Sequence, residues 1–187
     1  MKEAHSKHDN EELKKLISLA KSGDSRAFEE VYTNYYTPLF RYIVTRTKRR
    51  EDAEDLTQTV FLKIWNAIPS WDSTHTSPLA FFFTVARNTL IDHFRKNKGG
   101  REIVSDEIVY GLADETVFAD ASSIAREEGD SLGQSISTLS KEQQEIVKLY
   151  YGDDLTYKEI ASMTGKREDA IRQIHSRAIK KLREIYE

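Results

Sequence analysis

Residues Leu155–Arg183 decide the fold, and they read LTYKEIASMTGKREDAIRQIHSRAIKKLR. A capping box formed by Thr156 and Glu159 predicts the start of a short helix, because each side chain can satisfy a backbone N–H of the other residue. Gly165 predicts the end of that helix, since glycine adopts the left-handed conformation of a helix C-terminus without steric cost. The apolar residues that follow recur at helical spacing and predict a second, longer helix. Two helices joined by a tight glycine turn form a helix-turn-helix.

The second helix of this motif is strongly basic. Between Lys166 and Arg183 there are seven basic residues and two acidic ones. With Ile171 at the centre of the buried face, a rotation of about 100° per residue brings arginine and glutamine side chains to the opposite face. These are the side chains that pair bidentately with guanine and adenine. A recognition helix for duplex DNA is therefore predicted, with a solvated basic face as the alternative. The predicted contacts to this distal DNA element are Arg167, Arg172, Gln173, Ser176, Arg177 and Lys180.

A third helix completes the C-terminal unit, which we place at residues 135–187. It is predicted at Ser140–Tyr151, where Ser140 and Gln143 form a second capping box and Gly152 stops the helix. A unit of about fifty residues is near the lower limit for independent folding. We therefore expect this unit to be only marginally stable by itself.

The N-terminal unit, residues 1–100, shows three further helical patterns. The first begins near Asp24, and the third opens at Ser77-Pro78, where a capping residue precedes a proline in the first turn. Apolar residues recur at helical spacing in all three. The apolar stripes are Phe28, Val31, Tyr35 and Leu39 in the first helix, Leu56, Val60 and Ile64 in the second, and Phe82, Phe83, Ala86, Leu90 and Phe94 in the third.

The third of these helices ends in cations, and an aromatic loop precedes it. Arg95, Lys96 and Lys98 complement the negative helix terminus and also suit contacts to phosphates. In the loop, Trp71 and His75 suit stacking on an unpaired base. For Trp71 we favour a lid on the core, whereas for His75 both interpretations stay open.

A strongly acidic segment separates the two units. From Glu102 to Gly133 there are nine acidic residues and one basic residue, a net charge of −8, whereas the rest of the chain has 27 basic and 22 acidic residues, a net charge of +5. Its weak periodicity predicts a linker at residues 101–134.

The whole chain contains only three prolines and eight glycines, which favours helices over a sheet with many turns. We predict an all-α fold of two small helical domains joined by an acidic linker, the C-terminal one a helix-turn-helix.

The composition also limits the chemistry. The chain has no cysteine, which excludes disulfides, thiolate zinc sites and cysteine nucleophiles. Its five histidines are not spaced for a metal, and no glycine-rich phosphate loop or nucleophile motif is present. The carboxylates of Asp52, Glu54 and Asp55 suit a helix N-terminus better than a magnesium site. We therefore predict no metal, no cofactor and no enzymatic activity. No apolar stretch has the length of a signal-peptide core or a membrane span, so the expected location is the cytoplasm, without membrane insertion.

Two blocks of sequence carry a family resemblance. The first block is DAEDLTQTVFLKIW at 52–65 with FFFTVARNTLID at 81–92, and the second is EIA at 159–161, AIRQ at 170–173 and RAIKKLR at 177–183. They resemble the extracytoplasmic-function (ECF) sigma factors of bacterial RNA polymerase, the first block being similar to the second conserved region of that family and the second block to its fourth region. Together they extend the resemblance over about residues 12–184.

The resemblance implies a transcription initiation factor whose partners are core RNA polymerase, promoter DNA and an anti-sigma factor, and which is monomeric when free. The first block would dock on the clamp helices of the polymerase, and the helix from Ser77 would open the proximal promoter element. The implied polymerase-binding residues are Asp52, Asp55, Leu56, Gln58 and Phe61. The residues expected at the proximal element are Arg87, Asn88 and Asp92, together with His75, Arg95, Lys96 and Lys98.

Four positions depart from the family pattern. Phe81 stands where tryptophan is usual, and Ser140 replaces a proline, and both substitutes suit the same structural role. Lys166 and Arg167 replace an aliphatic residue and a capping serine, and neither long cation can cap a helix. Either Thr164 provides the cap or tertiary packing holds the turn, and the sequence leaves open whether the specificity for the distal element is altered.

The acidic linker suggests a hypothesis about its own binding site. It would be repelled by the DNA that attracts the flanking domains. In the family, the linker enters cationic polymerase channels, so its carboxylates are expected to mimic a nucleic-acid backbone there. The alternative is a solvated acidic tether.

Two other functions compete with a sigma factor. One is a conventional helix-turn-helix regulator that binds duplex DNA without acting as a polymerase subunit, and the other is an adaptor that binds only protein. The docking block at 52–65 argues against both, because neither function needs a docking helix followed by an aromatic, basic helix.

Overall fold

The computed structural model of the chain describes residues 2–72, 77–97 and 133–186. Within these ranges the regular structure is helical and contains no strand, which confirms the all-α prediction. A 3₁₀ turn at Ile68–Ser70 and a π-helical turn at Lys148–Gly152 each follow directly on the end of an α-helix. The α-helices that lie wholly within these ranges are α1 Lys2–Lys21, α2 Ser25–Val44, α3 Arg50–Ala67, α4 Pro78–Asn97, α5 Lys141–Val147, α6 Tyr157–Thr164 and α7 Glu168–Tyr186.

Helix α1 was not predicted from the sequence. Leu13, Leu16, Ile17 and Ala20 are buried on one of its faces and pack into the core of the N-terminal unit. Their spacing of three, four and seven residues is the helical signal that identifies this segment.

Helices α2, α3 and α4 follow the predicted pattern. The Asp24 carboxylate accepts hydrogen bonds from the backbone N–H groups of Arg26 and Ala27 and so caps α2. The Ser77 hydroxyl accepts from the N–H of Ala80 at the start of α4. Buried side chains of all three helices form one core with those of α1.

The C-terminal unit contains both predicted capping boxes. Ser140 and Gln143 satisfy each other's backbone N–H groups at 3.3 and 3.0 Å, and Thr156 and Glu159 do the same at 3.3 and 2.8 Å. Gly165 ends α6 in the left-handed conformation, with φ of 73°. The predicted Ser140–Tyr151 helix is present, but its last turn is π-helical.

The two units share one hydrophobic core. Helix α6 packs on α4, and most of the buried apolar side chains of the C-terminal unit belong to the same cluster as those of α1–α4. Within the described residues, Leu139, Val147 and Ala178 form a second, smaller buried cluster, against which Leu182 packs. A unit this small gains buried apolar area by packing on a neighbour.

The acidic linker predicted at 101–134 lies outside the described residues, apart from its last two positions. In the part of the chain that the structure describes, no helix has the length and apolar character needed to cross a lipid bilayer.

Candidate polymerase and nucleic-acid interfaces

Helix α3 presents a mixed polar and apolar stripe to solvent. Asp55, Gln58, Leu62 and Trp65 are all exposed and follow each other at three- and four-residue spacing, which places them on one face. Leu62 is 62% exposed and Trp65 39% exposed, unusually high values for large apolar side chains in a folded core region. We call these four residues the docking stripe. An exposed apolar stripe flanked by a carboxylate is typical of a protein-binding surface.

Aromatic side chains of α2 support and extend the docking stripe. The Phe28 ring contacts Trp65 edge-on with 4.7 Å between ring centroids. Tyr32 is also exposed, and its ring lies 4.6 Å from that of Phe61. Such contacts fix the rotamers of the exposed rings, so that less conformational entropy is lost when a partner binds. Sequence reasoning missed Tyr32, Leu62 and Trp65 as surface residues.

The structure divides the five predicted polymerase-binding residues into two groups. Asp55 and Gln58 are exposed and Asp52 is half-buried, so these side chains can reach a partner. Leu56 and Phe61 are buried in the core. These two side chains hold α3 in the core and do not face solvent.

The outer face of α4 combines an amide with charged groups. Asn88, Asp92, Arg95 and Lys96 are exposed, whereas Arg87 is half-buried. Lys63 reaches across from α3, where its Nζ atom lies 3.6 Å from Asp92 and donates to the Thr89 hydroxyl at 3.1 Å. Lys63 is therefore a further cation on this face, which sequence reasoning did not identify.

Two residues predicted for this face, His75 and Lys98, lie outside the described residues. Trp71 does lie within them, is half-buried and packs against the core, and its ring stacks on that of Phe81 with 5.7 Å between centroids. These contacts support Trp71 as a lid on the core and show how Phe81 fills its position.

Helix α7 carries the predicted recognition face. Its inner side is anchored by Ile171 and Ala178, which are fully buried. All six residues predicted for the distal element are exposed, namely Arg167, Arg172, Gln173, Ser176, Arg177 and Lys180.

Arg172 is held in place on this face. Its guanidinium donates to Glu168 Oε1 from two nitrogens, at 2.6 and 3.1 Å, and lies 4.6 Å from the centre of the Tyr157 ring. The Glu168 pair is an exposed contact one helical turn away, so exchange for another acceptor costs little. The cation–π contact keeps the guanidinium close to the helix-turn-helix.

The Tyr157 ring that contacts Arg172 belongs to a cluster of aromatic side chains. His175 is buried, and its ring centroid lies 4.7 Å from Tyr150 and 5.4 Å from Tyr157. The Tyr157 oxygen and His175 Nδ1 are 3.1 Å apart, a hydrogen-bond distance. Burial, followed by the hydrogen bond with Tyr150, raises the pKa of Tyr157 to about 12, so the phenol stays protonated at neutral pH.

The turn between α6 and α7 is not capped by Thr164, whose hydroxyl donates back to the Ile160 carbonyl at 2.7 Å. Instead, Lys166 lies 2.9 Å from Glu142 of α5, and Arg167 pairs with Asp169. Tertiary packing and ion pairs therefore hold this turn, the second of the two alternatives that the sequence left open.

Among the described residues, no group of three or more histidine, aspartate or glutamate side chains is arranged to hold a metal ion.

Comparison with known proteins matches both units. The family model of sigma-70 region 2 covers residues 31–99, and that of sigma-70 region 4 covers residues 135–184. The chain is 31% identical over 159 residues to the ECF RNA polymerase sigma factor SigM of Bacillus subtilis, covering 84% of this chain and 94% of SigM. It is 30% identical over 183 residues to the ECF RNA polymerase sigma factor BldN of Streptomyces coelicolor, covering 93% of this chain and 66% of BldN.

The fold is also similar to a solved structure. The structure of CnrH in complex with the cytosolic domain of CnrY matches with a TM-score of 0.62 at 19% identity, over 91% of this chain and 94% of that one. At this level of identity the match concerns the fold alone.

Proposed function

Since the chain belongs to the extracytoplasmic-function sigma factors of bacterial RNA polymerase, we propose that three of its surfaces divide the work of transcription initiation. The docking stripe on α3 binds the core polymerase, the outer face of α4 opens the proximal promoter element, and α7 reads the distal element in the duplex. A conventional regulator that binds duplex DNA without the polymerase is not favoured, because region 2 is present as well as region 4.

The docking stripe suits a helical partner. Leu62 and Trp65 offer apolar area, and Asp55 and Gln58 offer an acceptor and an amide at the polar end. Aromatic residues in the centre of an interface contribute a large share of its binding energy. Buried Leu56 supports this surface from inside.

The outer face of α4 suits a strand that has left the duplex. Asn88 can hydrogen-bond to the edge of an unpaired base, while Arg95, Lys96 and Lys63 can contact phosphates. Asp92 keeps Lys63 in position at 3.6 Å.

The recognition face of α7 suits the major groove. Arg172 and Gln173 lie in the first turns of the helix, where base edges are contacted, and Arg177 and Lys180 lie further along, where the backbone passes. We assign base readout to the first pair and phosphate contacts to the second.

In this proposal the protein acts without catalytic chemistry of its own, as a monomer before it joins the polymerase, and in the cytoplasm where the polymerase works. An anti-sigma factor is a further proposed partner. CnrH is bound to the cytosolic domain of CnrY in its solved structure, and the fold of this chain is similar to that of CnrH.

The single observation that carries the proposal is the exposed docking stripe within a region-2 fold. Its test is a titration of core polymerase with the wild-type chain and with the double variant Asp55→Ala/Gln58→Ala. We expect the double variant to bind with an affinity lower by about 2 kcal/mol or more, the loss typical of a residue at the centre of an interface.

The matched control is Glu12→Ala/Ser18→Ala, which removes a carboxylate and a polar group from the exposed side of α1. It should bind core polymerase like the wild type. Equal affinities for the wild type and a folded Asp55→Ala/Gln58→Ala variant would remove the docking assignment.

A further inference from the structure

Two side chains hold Arg172 of the recognition helix, and they do so in different ways. Glu168, one turn earlier in α7, accepts from Nε and Nη2 at 3.1 and 2.6 Å and therefore occupies one edge of the guanidinium. Tyr157, the first residue of α6, contacts the guanidinium through its ring, whose centre lies 4.6 Å from the guanidinium carbon. The first contact comes from the same helix, and the second comes from the other helix of the helix-turn-helix.

The two contacts differ in whether they compete with a base. The N–H bonds of a guanidinium lie in its plane, so a guanine that accepts through O6 and N7 approaches one edge of an arginine. A carboxylate needs the same in-plane donors, whereas an aromatic ring attracts the positive charge itself and needs no particular N–H group. Glu168 therefore competes with a base, and Tyr157 can stay in contact with Arg172 while a base is bound.

The Tyr157 ring is itself fixed by its neighbours. It stacks on Tyr150 with 4.7 Å between centroids and 15° between planes, and it meets the buried His175 ring edge-on at 5.4 Å. Its hydroxyl oxygen lies 3.1 Å from His175 Nδ1. Tyr150 lies in the π-helical turn after α5, and His175 lies on α7, three residues after Arg172. A ring that is already fixed in this way can hold a cation with little further loss of conformational entropy.

A flexible arginine needs such a support if it is to read one base. Its long side chain has many rotamers, and an exposed one can reach phosphates as well as bases. A phosphate contact forms at every sequence and carries no sequence information. The Tyr157 ring keeps the guanidinium in the first turns of α7, where base edges are contacted. This contact thus favours readout of a base over contact with the DNA backbone.

We propose that Tyr157 is a specificity-determining residue for the distal element, which acts by positioning Arg172 and not by touching a base itself. This proposal rests on the proposed function, in which Arg172 reads a base. The first helix of the helix-turn-helix then sets the base preference through an arginine of the second. Glu168 is the acceptor that Arg172 leaves on binding DNA, so its contact orients the side chain in the free protein only.

The test uses the full chain bound to core polymerase and a duplex library in which the distal element is randomised. Bound templates are sequenced, and the preference at each base position is compared between variants. Arg172→Ala first identifies the position that Arg172 reads. Tyr157→Leu should then lower the preference at that same position by about two- to fivefold, the factor that corresponds to an exposed cation–π contact, and leave the other positions unchanged.

Two variants of the same cluster are the controls. Tyr157→Phe keeps the ring and its stacking on Tyr150, so it should retain the preference. Glu168→Gln removes the charge from the edge contact and should also retain the preference, because that contact is given up when DNA binds. Circular dichroism of each variant verifies that the helices are retained. A general loss of stability would weaken all sequences alike and would leave the relative preference at one position unchanged.

A double variant shows whether Tyr157 acts through Arg172. In the Arg172→Ala background the guanidinium is absent, so adding Tyr157→Leu should change the preference at no position. A further loss of preference in that background would mean that Tyr157 contacts a base directly, and the positioning role would be wrong.

Other results would also overturn the proposal. A uniform loss for Tyr157→Leu over all sequences would limit Tyr157 to a role in folding or backbone contact. Equal relaxation by Glu168→Gln and Tyr157→Leu would deny Tyr157 its distinct part. If Arg172→Ala relaxes one position and Tyr157→Leu relaxes none, only the role of Tyr157 fails. If Arg172→Ala relaxes no position, base readout by Arg172 fails as well.

Discussion

Arginine serves opposite purposes at two positions of this chain. Arg46 is buried and fixed by three hydrogen bonds, so it defines how the units fit together. Arg172 is half exposed and pairs with Glu168 within its own helix, a contact worth about 0.3–0.5 kcal/mol that it can exchange for a base. Burial therefore separates the arginine that joins the two units from the arginine proposed to read DNA.

The assignment of Arg172 to base readout and of Lys180 to a phosphate can be tested on a randomised distal element. Arg172→Ala should cost about 1–3 kcal/mol and relax the preference at one base position, because a bidentate contact is lost. Lys180→Ala should weaken all sequences alike and lower the salt slope by about one unit. A uniform loss for both variants would contradict base readout by Arg172.

The pKa of Asp153 predicts how the stability of the folded protein responds to pH. Burial raises the pKa of Asp153 to about 6, with Arg46 opposing the shift, Glu145 adding to it, and Arg41 and Lys148 opposing it. The pKa in the folded protein thus lies above the unfolded value, so the folded state binds the proton more tightly. This group's contribution to stability is therefore present at acidic pH and is lost as pH rises from about 4 to about 6.

Asp153→Asn should isolate that contribution. At pH 7.5 we expect the variant to be more stable than the wild type by up to about 3 kcal/mol, because it avoids a buried charge. Near pH 4 the two proteins should unfold at the same urea concentration. A difference that stays constant, or grows toward acidic pH, would mean that ionised Asp153 stabilises the protein.

At the scale of the helices, the sequence predicts where a helix begins or ends whenever the capping residue is close in sequence to the backbone group that it satisfies. Both capping boxes, the cap at Asp24 and the glycine stop of α6 lie within four residues of the groups they satisfy. Helix α1 has an apolar stripe at Leu13–Ala20, but its first half is polar and carries no apolar periodicity. The π-helical turn at Lys148–Gly152 has no sequence signature of comparable strength.

The turn of the helix-turn-helix provides a direct test at this scale. Gly165 has φ of 73°, and a Cβ atom added there meets no neighbour within 4 Å, so only backbone strain opposes alanine. Gly165→Ala should lower the free energy of unfolding by about 1–2 kcal/mol, the cost of the left-handed conformation for a residue with a side chain.

Gly152 is the matched control, because it is equally open to an added Cβ but does not adopt a positive φ. Gly152→Ala should leave stability unchanged or raise it by less than about 1 kcal/mol. Equal losses at both glycines in urea unfolding would contradict the conformational explanation.

At the scale of the whole molecule, the contact between the units is what the sequence could not reveal. Arg46 lies in the run RTKRR, which reads as a solvated basic loop, and its partner Glu145 is far away along the chain. Of the docking stripe, the sequence predicted only the polar residues, Asp55 and Gln58. Leu62 and Trp65 resemble core residues in the sequence, and the packing of α3 on α2 is needed to show that they are exposed. Long-range packing decides both cases, and helical periodicity carries no information about it.

The central claim, that this chain directs core polymerase to promoters, is tested most directly by sequencing RNA made in vitro from a library of randomised upstream sequences. Core polymerase with the wild-type chain should yield RNAs with defined 5′ ends, from templates that share two upstream elements. Core polymerase alone, or with Asp55→Ala/Gln58→Ala, should not enrich these templates. If the wild-type chain binds core polymerase yet yields the same RNAs as core polymerase alone, the account is contradicted.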